Sequence, residues 1–130
     1  MKLHFVLLGA PRTKKTSNRI VRAGKRGQGC LRIVPSAAHE SWKRKVLGRA
    51  IAVARASKET PILMPVNVRA HFYRDALRGD AAGYYQALAD LLQAAGVIGD
   101  DKWIASWDGS RLRKDKDAPR IEVWITPSDS

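Results

Sequence analysis

The hydrophobic period of this chain switches along its length, and that switch restricts the fold more than any other feature. Val66, Val68, Ala70 and Phe72 alternate with Asn67, Arg69, His71 and Tyr73, the period of a strand with one face buried. On either side the period lengthens. Before it, Trp42, Val46, Leu47, Ala50, Ile51 and Ala54 fall three or four apart and make one apolar stripe, which predicts a helix over 36–57 with Ser36 as its N-cap. After it, Tyr84, Leu88, Leu91, Leu92 and Ala95 predict a second helix over 81–95, capped by Asp80 and stopped by Gly96.

Shorter runs complete the pattern. Leu3, Phe5, Val6, Leu7 and Leu8 read as a first strand whose near-continuous apolarity predicts burial on both faces. A weak signal peptide is the competing reading, but His4 breaks the run and no small-residue cleavage site follows. Residues 19–22 and 30–34 are β-prone and flank a glycine-rich basic tip at 24–29, the spacing of a hairpin. Residues 103–107 suggest another strand, Asp108-Gly109 a turn, and the charged run 111–117 a mobile loop. Ile121, Val123 and Ile125 alternate with Glu122 and Trp124 as a last strand. No repeat or linker interrupts the pattern. The expectation is one α+β domain over 1–130, a small mixed sheet with two main helices.

Lys and Arg number 24 against 12 Asp and Glu, a formal charge of +12. That excess favours a nucleic-acid partner. A membrane is disfavoured, because no apolar run approaches the roughly 20 residues needed to span one. The basic residues crowd two segments. Arg12, Lys14, Lys15, Arg19, Arg22, Lys25 and Arg26 belong to the first hairpin, and Lys43, Arg44, Lys45 and Arg49 to the first helix. Clustered on one face they would hold phosphates with a steep salt dependence; spread evenly they would be a solvated surface. Trp103 and Trp107 read as core residues, with base stacking as the alternative. Cys30 is the only cysteine, so no intrachain disulfide forms and a reducing, cytoplasmic setting fits. It sits in a strand-like run, where a buried thiol is a commoner role than a nucleophile. His4, His39 and His71 have no metal-ligand spacing, and no phosphate-binding or dinucleotide glycine motif occurs.

The acidic residues are the candidate chemistry. Asp80 stands at the mouth of the second helix and Asp100-Asp101 just past its end. A helix of about 15 residues parts its ends by roughly 22 Å. The segment after Gly96 can run back ~17 Å at ~3.3 Å per residue. Asp101 therefore approaches Asp80 only if that segment folds back beside the helix. Converging carboxylates would favour Mg²⁺ or Mn²⁺ over zinc. A helix cap and a solvated turn explain the same residues without any metal. Spacing leaves both readings open.

Gly9-Ala10-Pro11 followed by Lys14-Lys15-Thr16-Ser17, then Val34-Pro35-Ser36 leading to Trp42, and finally Gly96-Val97-Ile98-Gly99-Asp100-Asp101 with Ile104 after it resemble segments of one family. That family is the RusA Holliday junction resolvases, small homodimeric, Mg²⁺-dependent endonucleases of bacteria and prophages. The likeness spans nearly the whole chain, including Asp90-Leu91-Leu92 and Pro119-Arg120-Ile121-Glu122-Val123. The resemblance implies a RusA-like homodimer that nicks four-way DNA junctions in recombination and repair, with branched DNA as partner. It makes Asp80 and Asp101 metal-binding carboxylates. It also assigns a further Asp to the position of Ala82, an Asn to Gly83 and a catalytic Lys to Gln86. Asp108 is the preferred substitute ligand, with Asp100 or Asp75 behind it. A non-cutting branched-DNA binder of the same fold, and more distantly a basic RNA-binding protein, are the alternatives.

Overall fold

The computed structural model describes residues 1–11, 18–23, 30–35, 37–75 and 81–128, with side chains at 1–11, 41–75 and 81–128. The alternating run becomes strand β4, Val66–Arg74, at the centre of a five-stranded sheet. Val66, Val68, Ala70 and Phe72 are buried, while Asn67, Arg69, His71 and Tyr73 project from the opposite face. Strand β7, Arg120–Pro127, pairs antiparallel with β4 and, on its other side, with β1, Leu3–Leu8. Its Ile121, Val123 and Ile125 join the same core. The hairpin strands β2, Asn18–Ala23, and β3, Cys30–Pro35, form a separate antiparallel pair. The hairpin tip and the Ser36 cap lie outside the described residues.

Helix α1 spans Ala37–Ala56 and buries Trp42, Val46 and Ala50, with Leu47, Ile51 and Ala54 packed at the margin. Helix α2 spans Ala81–Ala94 and buries Tyr84, Leu88, Leu91 and Leu92 against the sheet, where Phe72 meets the Tyr84 ring at 5.4 Å. Both helices share one core with Phe5, Leu7, Val68 and Val123. The architecture is thus α+β, a mixed sheet with two helices on one face. Among the described residues no helix is long and apolar enough to cross a membrane.

Three expectations are corrected. Strand β1 is buried on one face only. Phe5 and Leu7 enter the core, whereas Val6 and Leu8 are 39% and 53% exposed, because they point to the face away from the helices. The charged run after Gly109 is not a loop throughout. Arg111–Lys114 is strand β6, paired parallel with His71 to Arg74 of β4. The segment 103–107 is also divided: Asp101–Trp103 is a 3₁₀ turn and only Ile104–Ser106 is a strand, β5, parallel to the start of β4.

Strands β5 and β6 therefore occupy one edge of β4, interrupted between them. The Ser110 hydroxyl fills the gap, accepting from the Ala70 amide at 3.0 Å and donating to the Val68 carbonyl at 3.3 Å. The Asn67 side chain does the same nearer the start, accepting from the Ser106 hydroxyl and the Asp108 amide. Side chains thus satisfy backbone groups that a continuous ladder would have paired.

Candidate functional site

Helix α2 ends in a way that decides where Asp101 goes. Gly96 takes φ +80°, and the Val97 and Gly96 amides donate back to the carbonyls of Leu92 and Gln93. This is a Schellman ending, in which a left-handed residue reverses the chain. The reversed segment is then tied to the connector before β4. The Ile62 amide donates to Val97, and the Gly99 amide donates to Ile62. A Cβ at Gly99 would fall 2.4 Å from Cδ2 of the exposed Leu63 side chain, which would have to swing aside. Two chain segments hold the return path, and the Asp101 amide reaches the Gln93 side chain at 3.0 Å. The chain folds back beside the helix, as convergence of the acidic residues requires.

The result is an open cleft of about 310 Å³ lined by Ala82, Tyr85, Gln86, Ala89, Asp101, Ile104 and Trp107. Four of these come from one face of α2, at i, i+3, i+4 and i+7. That face is distinct from the buried stripe of Tyr84, Leu88, Leu91 and Leu92. The Tyr85 and Trp107 rings stack at 4.7 Å and 8° to form one wall. Gln86 donates to Asp90 at 3.1 Å.

The two aspartates differ in charge behaviour. The Asp100 carboxylate accepts from the Lys102 amide at 2.9 Å, capping the 3₁₀ turn, and this bond holds its pKa below the ordinary value. Asp101 is pushed up, first by a hydrogen bond shared with the Asp100 side chain, then by desolvation and by the negative charges of Asp100 and Asp90. Crowded carboxylates of this kind repel one another until a cation or a proton intervenes. Their oxygens are hard donors suited to Mg²⁺ or Mn²⁺. Asp80, the other expected ligand, lies outside the described residues. Among the described residues no three His, Cys, Asp or Glu side chains gather as a metal group.

The remaining candidates are dispersed. Asp108 borders a different cavity, with Asn67, Ser106 and Thr126, and its backbone is tied to the Asn67 side chain. Asp75 is exposed at the end of β4, 4.0 Å from Arg74. Lys45, Arg44 and Arg49 are exposed on α1 and Lys43 is half-buried there; Arg49 donates to the Leu8 carbonyl at 2.6 Å. The side chains of Arg12, Lys14, Lys15, Arg19, Arg22, Lys25 and Arg26 lie outside the described residues.

Tyr85, read only as part of the helix, and Trp107, read as core, form a wall of the cleft, and Gln93 holds the Asp101 amide at its edge. The signal was present as a second helical stripe, Ala82, Tyr85, Gln86, Ala89 and Gln93, running beside the apolar one. No protein-family model matches the chain, and no curated protein is significantly similar to it.

Proposed function

We propose that this chain is a homodimeric, Mg²⁺-dependent endodeoxyribonuclease that binds and nicks four-way DNA junctions. One observation carries the reading. The fold-back after Gly96 sets Asp101 in one cleft with Ala82 and Gln86, the positions to which the RusA resemblance assigns a metal-binding Asp, a second Asp and a catalytic Lys. That likeness rests on sequence segments, and the cleft brings three of its separated positions together. The excess of 24 basic over 12 acidic residues supplies the field for a polyanion.

Asp101 and Asp100, with Asp80, would hold the ion. When bound it would neutralise charge developing on the phosphodiester and lower the pKa of an attacking water. Gln86 presents an amide at the cleft, able to hydrogen-bond a phosphate oxygen but not to add positive charge. The stacked Tyr85 and Trp107 rings shield one side of the cleft from water. Two-fold symmetry of a four-way junction suits a pair of identical sites.

A second reading is a binder of branched DNA that does not cut. It is favoured by Ala82 and Gln86 themselves, since a methyl group and a neutral amide line the cleft where the family has a carboxylate and an ammonium. One experiment separates the two. The purified chain is incubated with a labelled four-way junction and with linear duplex, in Mg²⁺, Mn²⁺ or EDTA. Metal-dependent nicking of the junction, lost in Asp101→Asn, supports the nuclease. Junction binding with no nicking in any metal refutes it and establishes the binder. Nicking that appears or rises in Ala82→Asp identifies the missing carboxylate as the limiting group. Binding of RNA with no preference for branched DNA overturns both.

A further inference from the structure

The sheet's second face takes no part in the cleft. Both helices pack on the opposite side, and on this one His4, Val6, Leu8 and Arg69 are exposed. Paired residues on adjacent strands point the same way, so its side chains form rows across the sheet. One row is His4, Trp124 and Arg69. The His4 ring stacks on Trp124 at 4.7 Å and 12°, and the Arg69 guanidinium lies 4.2 Å from the same indole centroid. His4 and Arg69 come from strands on either side of Trp124 and both are exposed. The row is a stack of planar groups with an accessible member at each end.

A second row is Arg120, Tyr73 and Arg113. Arg120 lies 3.9 Å over the Tyr73 ring and is neutralised by Glu122 at 3.1 Å and Asp115 at 2.8 Å. Arg69, Arg111 and Arg113 are exposed and, among the described residues, no carboxylate pairs with them. Burial first, then the charges of Arg113 and Arg69, lowers the pKa of His71 between the two rows, against the opposing effects of its hydrogen bond to the Gly109 carbonyl and of Glu122. The surface combines stackable planar groups with uncompensated guanidinium charge. Its complement is a polyanion with exposed π-faces. A duplex hides its base faces inside its own stack, whereas an unpaired strand offers them.

We propose that this face binds an unpaired stretch of single-stranded DNA, its bases continuing the His4–Trp124–Arg69 stack and its phosphates meeting Arg111 and Arg113. The choice of DNA rests on the junction reading above; the stack and the charge stand without it.

The test uses the full chain in EDTA with a fluorescent oligo-dT and reads polarisation across a salt series. Oligo-dT is expected to bind more tightly than linear duplex of equal length. His4→Ala and Trp124→Leu should each weaken it about tenfold, the loss expected for one stacked base. Arg111→Gln combined with Arg113→Gln should flatten the slope of log affinity against log salt by about 1.4, at about 0.7 per phosphate contact. These arginines are exposed, so the double variant reports on binding even if Trp124→Leu does not fold. Asp101→Asn is expected to keep the oligo-dT affinity. Absence of junction nicking by the wild-type chain in Mg²⁺ or Mn²⁺, with intact oligo-dT binding, defeats the nuclease reading and leaves this one standing. Unchanged affinity and slope in all the face variants overturns the proposal. So does tighter binding of oligo-U than of oligo-dT. Variants that split a dimer into monomers while retaining oligo-dT binding also overturn it, by assigning the face to a second copy of the chain.

Discussion

Two glycines of this chain should respond oppositely to the same substitution, and the structure supplies the reason. Gly48 lies inside α1, exposed, and among the described residues no atom comes within 4 Å of the place a methyl group would take. Gly48→Ala therefore adds no contact and removes no space. It restricts the unfolded chain and improves helix propensity, which together stabilise by about 0.5–1 kcal/mol. Gly96 also has nothing within 4 Å, but its φ is +80°. Alanine there gains no packing and must adopt a left-handed conformation costing roughly 1–2 kcal/mol. For a chain of this size about 4 °C accompanies each kcal/mol. Gly48→Ala should thus raise the thermal midpoint by about 2–4 °C and Gly96→Ala lower it by about 4–8 °C. Thermal unfolding followed by circular dichroism in one buffer reads both. Because neither site offers a steric neighbour, a shift of the same sign in both variants would refute the backbone argument. A Gly96→Ala midpoint equal to wild type would refute the Schellman assignment that directs the chain to Asp101.

The cleft wall and the sheet edge give two more tests. In a double-mutant cycle, Tyr85→Ala and Trp107→Ala should couple by about 0.5–1.5 kcal/mol in chemical denaturation, the usual worth of a stacked aromatic pair; strictly additive losses would mean that the 4.7 Å stack does not persist in solution. Asp115 is held below the ordinary aspartate value, first by Arg120 and then by the amides of Ala118 and Asp117. A depressed carboxylate contributes stability above its unfolded value of about 3.9 and loses it as pH falls through the folded value. The stability gap between wild type and Asp115→Asn should therefore be fullest near neutral pH and shrink below about pH 4 in thermal melts; a gap that widens on acidification would contradict the sign.

The readable parts of the fold were those whose periodicity is local. Val66 to Phe72 alternate because every second side chain meets the helices, and Tyr84, Leu88, Leu91 and Leu92 repeat because one side of α2 does. Strand β6 was not readable in this way. Its Arg111, Leu112, Arg113 and Lys114 carry one apolar residue among three cations, and the strand exists through parallel pairing with His71 to Arg74, some forty residues earlier in the chain. Strand β1 misled for the opposite reason. Val6 and Leu8 are as apolar as Phe5 and Leu7, and nothing local reveals which side the helices occupy.

The candidate site divides along the same line. The carboxylates at Asp100-Asp101, the helix that carries Gln86, the glycine that ends it and the cationic excess were all legible in the chain, because residue identity, short-range periodicity and charge need no folded partner. The return of Asp101 to the cleft beside Ala82 and Gln86 was not legible, nor was the placement of Asp108 at another cavity. The alignment of His4, Trp124 and Arg69 across three strands likewise emerges only on folding. Each of these outcomes depends on contacts between distant segments, such as Ile62 gripping Val97 and Gly99, and strand register is set by such contacts rather than by neighbours in the chain.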